Sequence, residues 1–191
     1  MKKYTPLFIE HCEPQLSEWL MLEYKHSTKL WPNETWFTKV NDEKTANKLK
    51  KLGKVEKKKA NQILHDKKCI ILDPLADKTL KTTDFKQLDA IIVGGILGYK
   101  KPRGRTKKLL SDKSDFETRN IGSIQLTIDG AVFVAKAIML GMKLTDIEIA
   151  YELEIIHVKR YSTILPFGYP IIKDTPIITP GLVEYLNKKI Y

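Results

Sequence analysis

Short apolar runs alternate along the chain with longer segments that are apolar on one side only. The runs at residues 4–10, 35–40, 69–72 and 88–93 have the length and composition of β-strands, and residues 147–151 alternate with a period of two. The runs at 69–72 and 88–93 are almost entirely apolar, as expected for parallel strands that are covered on both faces. The pattern therefore predicts a buried, mostly parallel sheet.

Helices are predicted between these strands. The first has an apolar stripe at Leu16, Trp19, Leu20 and Tyr24, with Pro14 in its first turn. Others are predicted at about residues 42–53, with Asn41 or Asp42 as the cap, at about 56–65 and 130–140, and from Pro180 to about residue 190. Thr127 and Asp129 are candidate caps for the helix at about residues 130–140. For Asp129 a capping role is favoured over a catalytic role. The alternation predicts an α/β fold in which residues 1–191 form a single domain.

Composition narrows the class of protein. The 191 residues are 42% hydrophobic and 9% aromatic, which is typical of a globular protein. No apolar run approaches the roughly 20 residues of a membrane span, and the first residues lack the apolar region of a signal peptide, so we expect a cytoplasmic protein. Cys12 and Cys69 belong to no cluster with metal-ligand spacing, and no metal is expected. His26 has no partner nearby in sequence and is interpreted as an ordinary surface or core residue.

The net charge of +10 is unevenly distributed. Residues 39–68 carry +7 and residues 100–108 carry +6, so the rest of the chain is slightly negative. Such asymmetry favours an anionic partner, with nucleic acid as the first candidate. A solvated lysine-rich surface explains residues 39–68 equally well.

A glycine-rich segment follows the predicted strand at 88–93. Its sequence, GGILG at 94–98, fits neither the Walker A pattern nor the dinucleotide fingerprint. Two other predicted strand ends carry similar turns, Leu72-Asp73-Pro74 and Asn120-Ile121-Gly122. Because ligands of open α/β sheets bind at the carboxyl ends of strands, the three turns together predict a site in which backbone groups hold an adenine and a ribose.

Several motifs taken together resemble one family of SPOUT-class methyltransferases. They are FIEH at 8–11, LSEWLMLEY at 16–24, GGILG at 94–98, PRGRT at 102–106, TRNIG at 118–122 and QLTID at 125–129. The family includes a fungal enzyme that methylates an arginine of a small-subunit ribosomal protein, and archaeal members described as RNA methyltransferases. The resemblance implies S-adenosylmethionine as the methyl donor and a deep C-terminal trefoil knot at about residues 69–140.

The resemblance also implies which residues bind the donor and the substrate. The implied donor-binding residues are Leu72, Pro74, Gly94, Gly95, Ile96, Leu97, Gly98, Arg119, Asn120, Ile121, Gly122, Gln125, Leu126 and Thr127. The candidate substrate-binding residues are the cations Lys100, Lys101, Arg103, Arg105, Lys107 and Lys108. Arg105 and Arg119 could grip either the carboxylate of the donor's methionine moiety or a phosphate, because a guanidinium binds both in bidentate fashion.

If the acceptor is a guanidinium, carboxylates must orient it and take its proton. Glu10, Glu18 and Glu23 are the candidates, although a solvent-facing position is equally expected for Glu18. The motifs favour methylation of an arginine in a ribosomal protein, whereas the charge favours an rRNA or tRNA substrate. A non-catalytic RNA-binding factor of ribosome assembly is a third hypothesis, and we expect a monomer without membrane or metal partners.

Overall fold

Six parallel strands form the central sheet in the computed structural model, which describes residues 5–32, 34–99, 103–157 and 161–189. The strands are β1 (Leu7–His11), β2 (Thr35–Thr38), β3 (Lys54–Val55), β4 (Cys69–Leu72), β5 (Ala90–Gly95) and β6 (Glu117–Arg119). Their order across the sheet is β3-β2-β1-β5-β4-β6, and every neighbouring pair is parallel. The predicted parallel sheet is confirmed.

Six α-helices connect or cover the strands. They are α1 (Glu18–Leu30), α2 (Glu43–Leu49), α3 (Ala60–Ile63), α4 (Arg105–Leu109), α5 (Ile128–Met139) and α6 (Leu182–Lys189), and 3-10 turns lie at Thr82–Lys86, Ser111–Lys113 and Leu144–Asp146. Asp42 caps α2 as predicted, since its carboxylate accepts a hydrogen bond from the Thr45 N–H at 2.7 Å. No helix within the described ranges has the length and apolar character needed to cross a bilayer.

The core has two apolar layers, one on each face of the sheet. Side chains of a strand point alternately to opposite faces, so Leu7 and Ile9 pack with α1 and α5, whereas Phe8 packs with Ala60 and Ile92. All five residues of β1 are buried. The burial of both faces explains why the central strands are almost entirely apolar.

Three predicted boundaries are wrong for local reasons. Helix α1 begins after Ser17, whose hydroxyl accepts from the Leu20 N–H at 3.1 Å, so Pro14 lies before the helix. Pro180 likewise lies in the turn before α6, which begins at Leu182. The lysine-rich segment predicted as helix 56–65 contains only the four-residue α3, and the two residues before it form β3.

A small antiparallel sheet follows α5, and the sequence predicted only a fragment of it. It contains β7 (Ile149–Ile156), β8 (Ser162–Ile172) and β9 (Thr175–Pro176), in that order. The Gly168 N–H of β8 donates to the Gln125 carbonyl at 2.8 Å, which attaches this sheet to the segment before α5. The attachment brings Phe167 close to the carboxyl ends of the parallel strands. The trefoil knot and the single-domain organisation stay predictions.

Candidate functional site

A cavity of about 200 Å³ lies where β4, β5 and β6 end, side by side in the sheet. We call it the main cavity, and its lining consists of residues 72–75, 93–94, 96–99, 103–106, 121–128 and 131. All three glycine- or proline-containing strand ends singled out in the sequence contribute to it. The expectation that these distant turns meet at one edge of the sheet is confirmed.

Eleven of the implied donor-binding residues line the main cavity and three do not. Those in the lining are Leu72, Pro74, Gly94, Ile96, Leu97, Gly98, Ile121, Gly122, Gln125, Leu126 and Thr127, and those outside it are Gly95, Arg119 and Asn120. Gly94 and Gly95 are the last residues of β5 instead of a turn, paired with Glu10 and His11. A Cβ on Gly95 would lie 2.1 Å from the Tyr24 hydroxyl, which explains the glycine by packing.

Arg119 and Asn120 make structural contacts away from the main cavity. The Arg119 guanidinium pairs with Asp84 at 3.2 Å and with Glu117 at 2.6 Å. The Asn120 amide donates to the Ala76 carbonyl at 2.8 Å, and its oxygen accepts from the Gly122 N–H at 3.2 Å. Asn120 therefore shapes the loop that lines the cavity, while Arg119 is already neutralised by two carboxylates.

Glu13 fixes the glycine-rich segment, and the sequence analysis missed it. Its Oε1 accepts a hydrogen bond from the Leu97 N–H at 2.9 Å and one from Arg105 Nη1 at 2.7 Å. Arg105 also donates to the Leu97 carbonyl at 3.3 Å. The Glu13 carboxylate thus connects the segment after β1, the segment after β5 and the start of α4.

The predicted substrate cations are divided between the cavity and the surface. Arg103 and Arg105 line the main cavity, and the Arg103 guanidinium lies 4.0 Å from the centre of the Tyr99 ring, within cation–π range. Lys107 and Lys108 are exposed on α4 and do not line the cavity. Lys100 and Lys101 lie outside the described residues.

A second cavity adjoins the first, and we call it the side cavity. It is lined by Trp19, Glu23, Ile96, Leu97, Gly98, Thr127 and Phe167. Ile96, Leu97, Gly98 and Thr127 line both cavities. The two cavities therefore share a wall, and the lining of the side cavity includes a glutamate.

Glu23 is that residue, and it is 2% exposed. Its Oε1 accepts from Trp19 Nε1 at 2.6 Å, and its Oε2 accepts from the Ile128 N–H at 2.9 Å, at the amino end of α5. Burial, followed by repulsion from Asp129, raises the pKa of Glu23 from its ordinary 4.5 to about 8, although both hydrogen bonds act in the opposite direction. The site thus holds a carboxyl group that is a much stronger base than an exposed glutamate.

The other two candidate carboxylates lie elsewhere. Glu10 is buried on the opposite face of the sheet, where its Oε2 accepts from the Ala60 N–H at 2.8 Å at the start of α3. Glu18 is exposed in the first turn of α1 and lines neither cavity. Of the three, the fold brings only Glu23 to either of these two cavities.

Asp129 is not the cap of α5, contrary to the expectation from the sequence. Thr127 is the cap, because its hydroxyl accepts from the Gly130 N–H at 3.1 Å. Asp129 also contacts that N–H, but its Oδ2 accepts from the Thr179 hydroxyl at 2.6 Å and lies 2.7 Å from His26 Nδ1. His26, which has no partner nearby in sequence, therefore pairs with a residue 103 positions away.

Solved structures with this fold include an arginine methyltransferase. The crystal structure of the yeast arginine methyltransferase SFM1 complexed with SAM has a TM-score of 0.87 and 28% identity, over 97% of this chain and 91% of that chain. The dual specific Trm10 of Thermococcus kodakaraensis has a TM-score of 0.57 and 19% identity, over 73% of this chain and 95% of that chain, which is a likeness in fold. The parallel sheet, the cavity at its strand ends and these likenesses define an α/β methyltransferase of the SPOUT class.

The sequence itself assigns the chain within that class. A family model described as Protein arginine N-methyltransferase SFM1-like matches residues 6–191, and the chain belongs to this family. Protein arginine N-methyltransferase SFM1 of Saccharomyces cerevisiae is 30% identical to this chain over an alignment of 198 positions. The alignment covers 94% of this chain and 93% of the yeast protein. The family resemblance seen in the motifs is confirmed.

Proposed function

We propose that this protein transfers a methyl group from S-adenosylmethionine to an arginine side chain of a protein in the translation apparatus. The observation that carries the proposal is the buried Glu23 carboxyl in a cavity that shares its wall with the main cavity. The relatives support the same reaction, since the similar yeast enzyme is named an arginine methyltransferase and a structure of it contains SAM. A substrate in the translation apparatus would place the protein in the cytoplasm.

The main cavity suits the donor because it combines apolar walls with closely approaching backbone. A Cβ on Gly98 would lie 2.2 Å from Gln125 Nε2 and 2.5 Å from the Phe167 ring, so this position requires glycine for the cavity to keep its shape. A Cβ on Gly94 would meet only the end of the Ile96 side chain, at 2.9 Å. Arg103 in the lining offers a cation for the donor's carboxylate. When bound, S-adenosylmethionine supplies an electrophilic methyl group on a sulfonium.

The side cavity suits a guanidinium. Among the residues that the structure describes, each Glu23 oxygen accepts one hydrogen bond, at 2.6 Å from Trp19 and 2.9 Å from Ile128, which leaves a second acceptor site on each oxygen. A guanidinium that enters the cavity favours the ionised form of Glu23, and the resulting carboxylate matches the forked donors of arginine. Trp19 and Phe167 provide aromatic walls for a planar cation. Glu23 would therefore bind and orient the acceptor.

Glu23 would also take the proton that the acceptor nitrogen loses. A guanidinium that gains a methyl group keeps its single positive charge only if it releases one proton. A carboxyl whose pKa is raised to about 8 accepts that proton more readily than an ordinary glutamate, whose pKa is near 4.5. The same burial that raises this pKa excludes water from around the acceptor.

Methylation of RNA is the second candidate, and the two basic segments of the chain favour it. The side cavity argues against it, because its carboxyl group ionises readily beside a cation and offers a phosphate no positive charge. We therefore favour the guanidinium as acceptor. A non-catalytic RNA-binding role would leave both cavities and Glu23 without a function.

The test uses tritiated S-adenosylmethionine and purified small ribosomal subunits. We expect label that protease removes and RNase does not, and a fall in rate of about 100-fold or more in Glu23→Gln. The matched control is Glu18→Gln on the same helix, with full activity expected because Glu18 is exposed. Label released by RNase, or full activity in Glu23→Gln, would contradict the proposal.

A further inference from the structure

Two lysine-rich segments that are far apart in sequence meet on one side of the sheet. The Asn61 side chain in α3 donates to the Lys113 carbonyl at 2.7 Å, just beyond α4. Lys59 and Lys113 also line the same shallow groove. The lysines before α3 therefore lie beside the segment that follows α4.

We call this the basic surface and define it by six exposed residues. They are Lys57, Lys58, Lys59, Lys107, Lys108 and Lys113. Among the residues that the structure describes, none of the six lysines makes an ion pair. The two segments, residues 56–59 and 107–115, contain three carboxylates, Glu56, Asp112 and Asp115. The six lysines therefore predominate.

The basic surface lies at the edge of the sheet that carries the main cavity. The Lys58 carbonyl accepts from the Lys39 N–H at 2.9 Å, which places this segment just past the carboxyl end of β2. On the other side, α4 provides Arg105 and Thr106 to the cavity lining and Lys107 and Lys108 to the basic surface. A partner seated on these lysines would lie beside the opening of the main cavity.

We propose that the basic surface docks the phosphate backbone of an RNA strand, so that the enzyme engages proteins that are already bound to RNA. This goes beyond arginine methylation, and RNA binding can be measured without any methyl transfer. The surface presents a conflict for a free arginine-rich substrate, which it would repel. RNA around the substrate removes that conflict, because its phosphates neutralise both partners.

Lysine chemistry favours RNA over an acidic protein as the occupant. An ammonium group recognises phosphates as a point charge, without requiring a fixed geometry. Stable protein interfaces usually depend on Trp, Tyr or Arg anchors in the centre of the patch, and the groove between the two segments has none of these among its lining residues. The surface therefore fits a flexible polyanion better than a folded acidic partner.

The test measures binding of a fluorescein-labelled, single-stranded RNA of about 30 nucleotides by anisotropy at several salt concentrations. The wild-type affinity is expected to fall steeply with salt, with a log–log slope of about −4 if six lysines each neutralise a phosphate. The variant K58Q/K59Q/K113Q should reduce the magnitude of that slope by about 2 and weaken binding at about 0.1 M salt about 100-fold. A second variant, K107Q/K108Q, should give a smaller change in the same direction.

A matched control removes the same charge elsewhere. Lys67, Lys86 and Lys143 are exposed and lie before β4, before β5 and beyond the far end of α5, away from the basic surface. We expect K67Q/K86Q/K143Q to bind RNA almost as the wild type does. Equal losses in the two triple variants, no RNA binding by the wild type, or equally tight binding of a polyglutamate peptide would each overturn the proposal.

Discussion

The buried Glu23 carboxyl should make the fold less stable as pH rises, and Glu23→Gln should remove that effect. The pKa of Glu23 is raised from 4.5 to about 8 in the folded protein, mainly by burial. One pKa unit corresponds to about 1.4 kcal/mol. Above pH 8 the free energy of unfolding should therefore be about 5 kcal/mol lower than if the pKa of Glu23 were the same in the folded and the unfolded chain. At pH 7 the corresponding penalty is about 3 kcal/mol.

The direction of this change of stability with pH follows from proton binding. Below pH 4.5 the carboxyl is protonated in the folded and the unfolded chain, so it contributes no penalty. Between pH 4.5 and 8 the unfolded chain releases the proton and the folded chain retains it, so stability falls steadily with pH. The glutamine of the variant does not titrate, and the mismatch of its amide with one of the two donors costs about 1–3 kcal/mol at every pH.

Thermal unfolding of both proteins between pH 5 and 9 measures the effect. The difference in melting temperature, Glu23→Gln minus wild type, should be about 10 °C larger at pH 9 than at pH 5. This magnitude follows because about 1 kcal/mol of unfolding free energy corresponds to about 2–4 °C for a protein of this size. Glu18→Gln, exposed on the same helix, should give a flat difference. A flat difference for Glu23→Gln as well would refute the assignment of a strongly raised pKa to Glu23.

Three further substitutions test the cavity walls. Arg105→Gln breaks the 2.7 Å ion pair that fixes the glycine-rich segment. The affinity for S-adenosylhomocysteine, measured by calorimetry, should fall about five- to tenfold, whereas Lys107→Gln should leave it unchanged. Gly98→Ala narrows both cavities and should weaken binding of that ligand more than about tenfold. Gly141→Ala, where the φ of +112° strains a side chain but an added Cβ meets nothing within 4 Å, should lower stability and leave the affinity for the ligand unchanged. Thr127→Ala removes the cap of α5 and should lower the unfolding free energy by about 1 kcal/mol in a denaturant titration; unchanged stability would contradict the role of the cap.

Features that depend on neighbouring residues could be predicted from the sequence. The strand at 69–72 and most of β5, predicted at 88–93, are visible as apolar runs, and Asp42 is one of two visible cap candidates, because both signals are local. The meeting of three turns at one cavity also followed, since parallel strands share a carboxyl edge. The family motifs added the identity of the class but not the contacts of each residue.

Features that depend on distant contacts could not be predicted. The Ile128 N–H that binds Glu23 is 105 residues away, and His26 is 103 residues from Asp129. No local pattern distinguishes Glu23 from Glu10 or Glu18, and only the packing of α1 against α5 brings it to the side cavity. Glu13 was missed because a carboxylate in a loop carries no signal until Leu97 and Arg105 are placed beside it.

The wall shared by the main and side cavities has a thermodynamic consequence. Any ligand that moves or stiffens Leu97 and Gly98 alters the other cavity, since both residues line both spaces. The affinity of each ligand then depends on whether the other is bound. By linkage, the factor by which the donor changes the affinity for the acceptor equals the factor by which the acceptor changes the affinity for the donor. A donor that tightens acceptor binding by a given factor is itself held more tightly, by that same factor, in an enzyme that carries its acceptor.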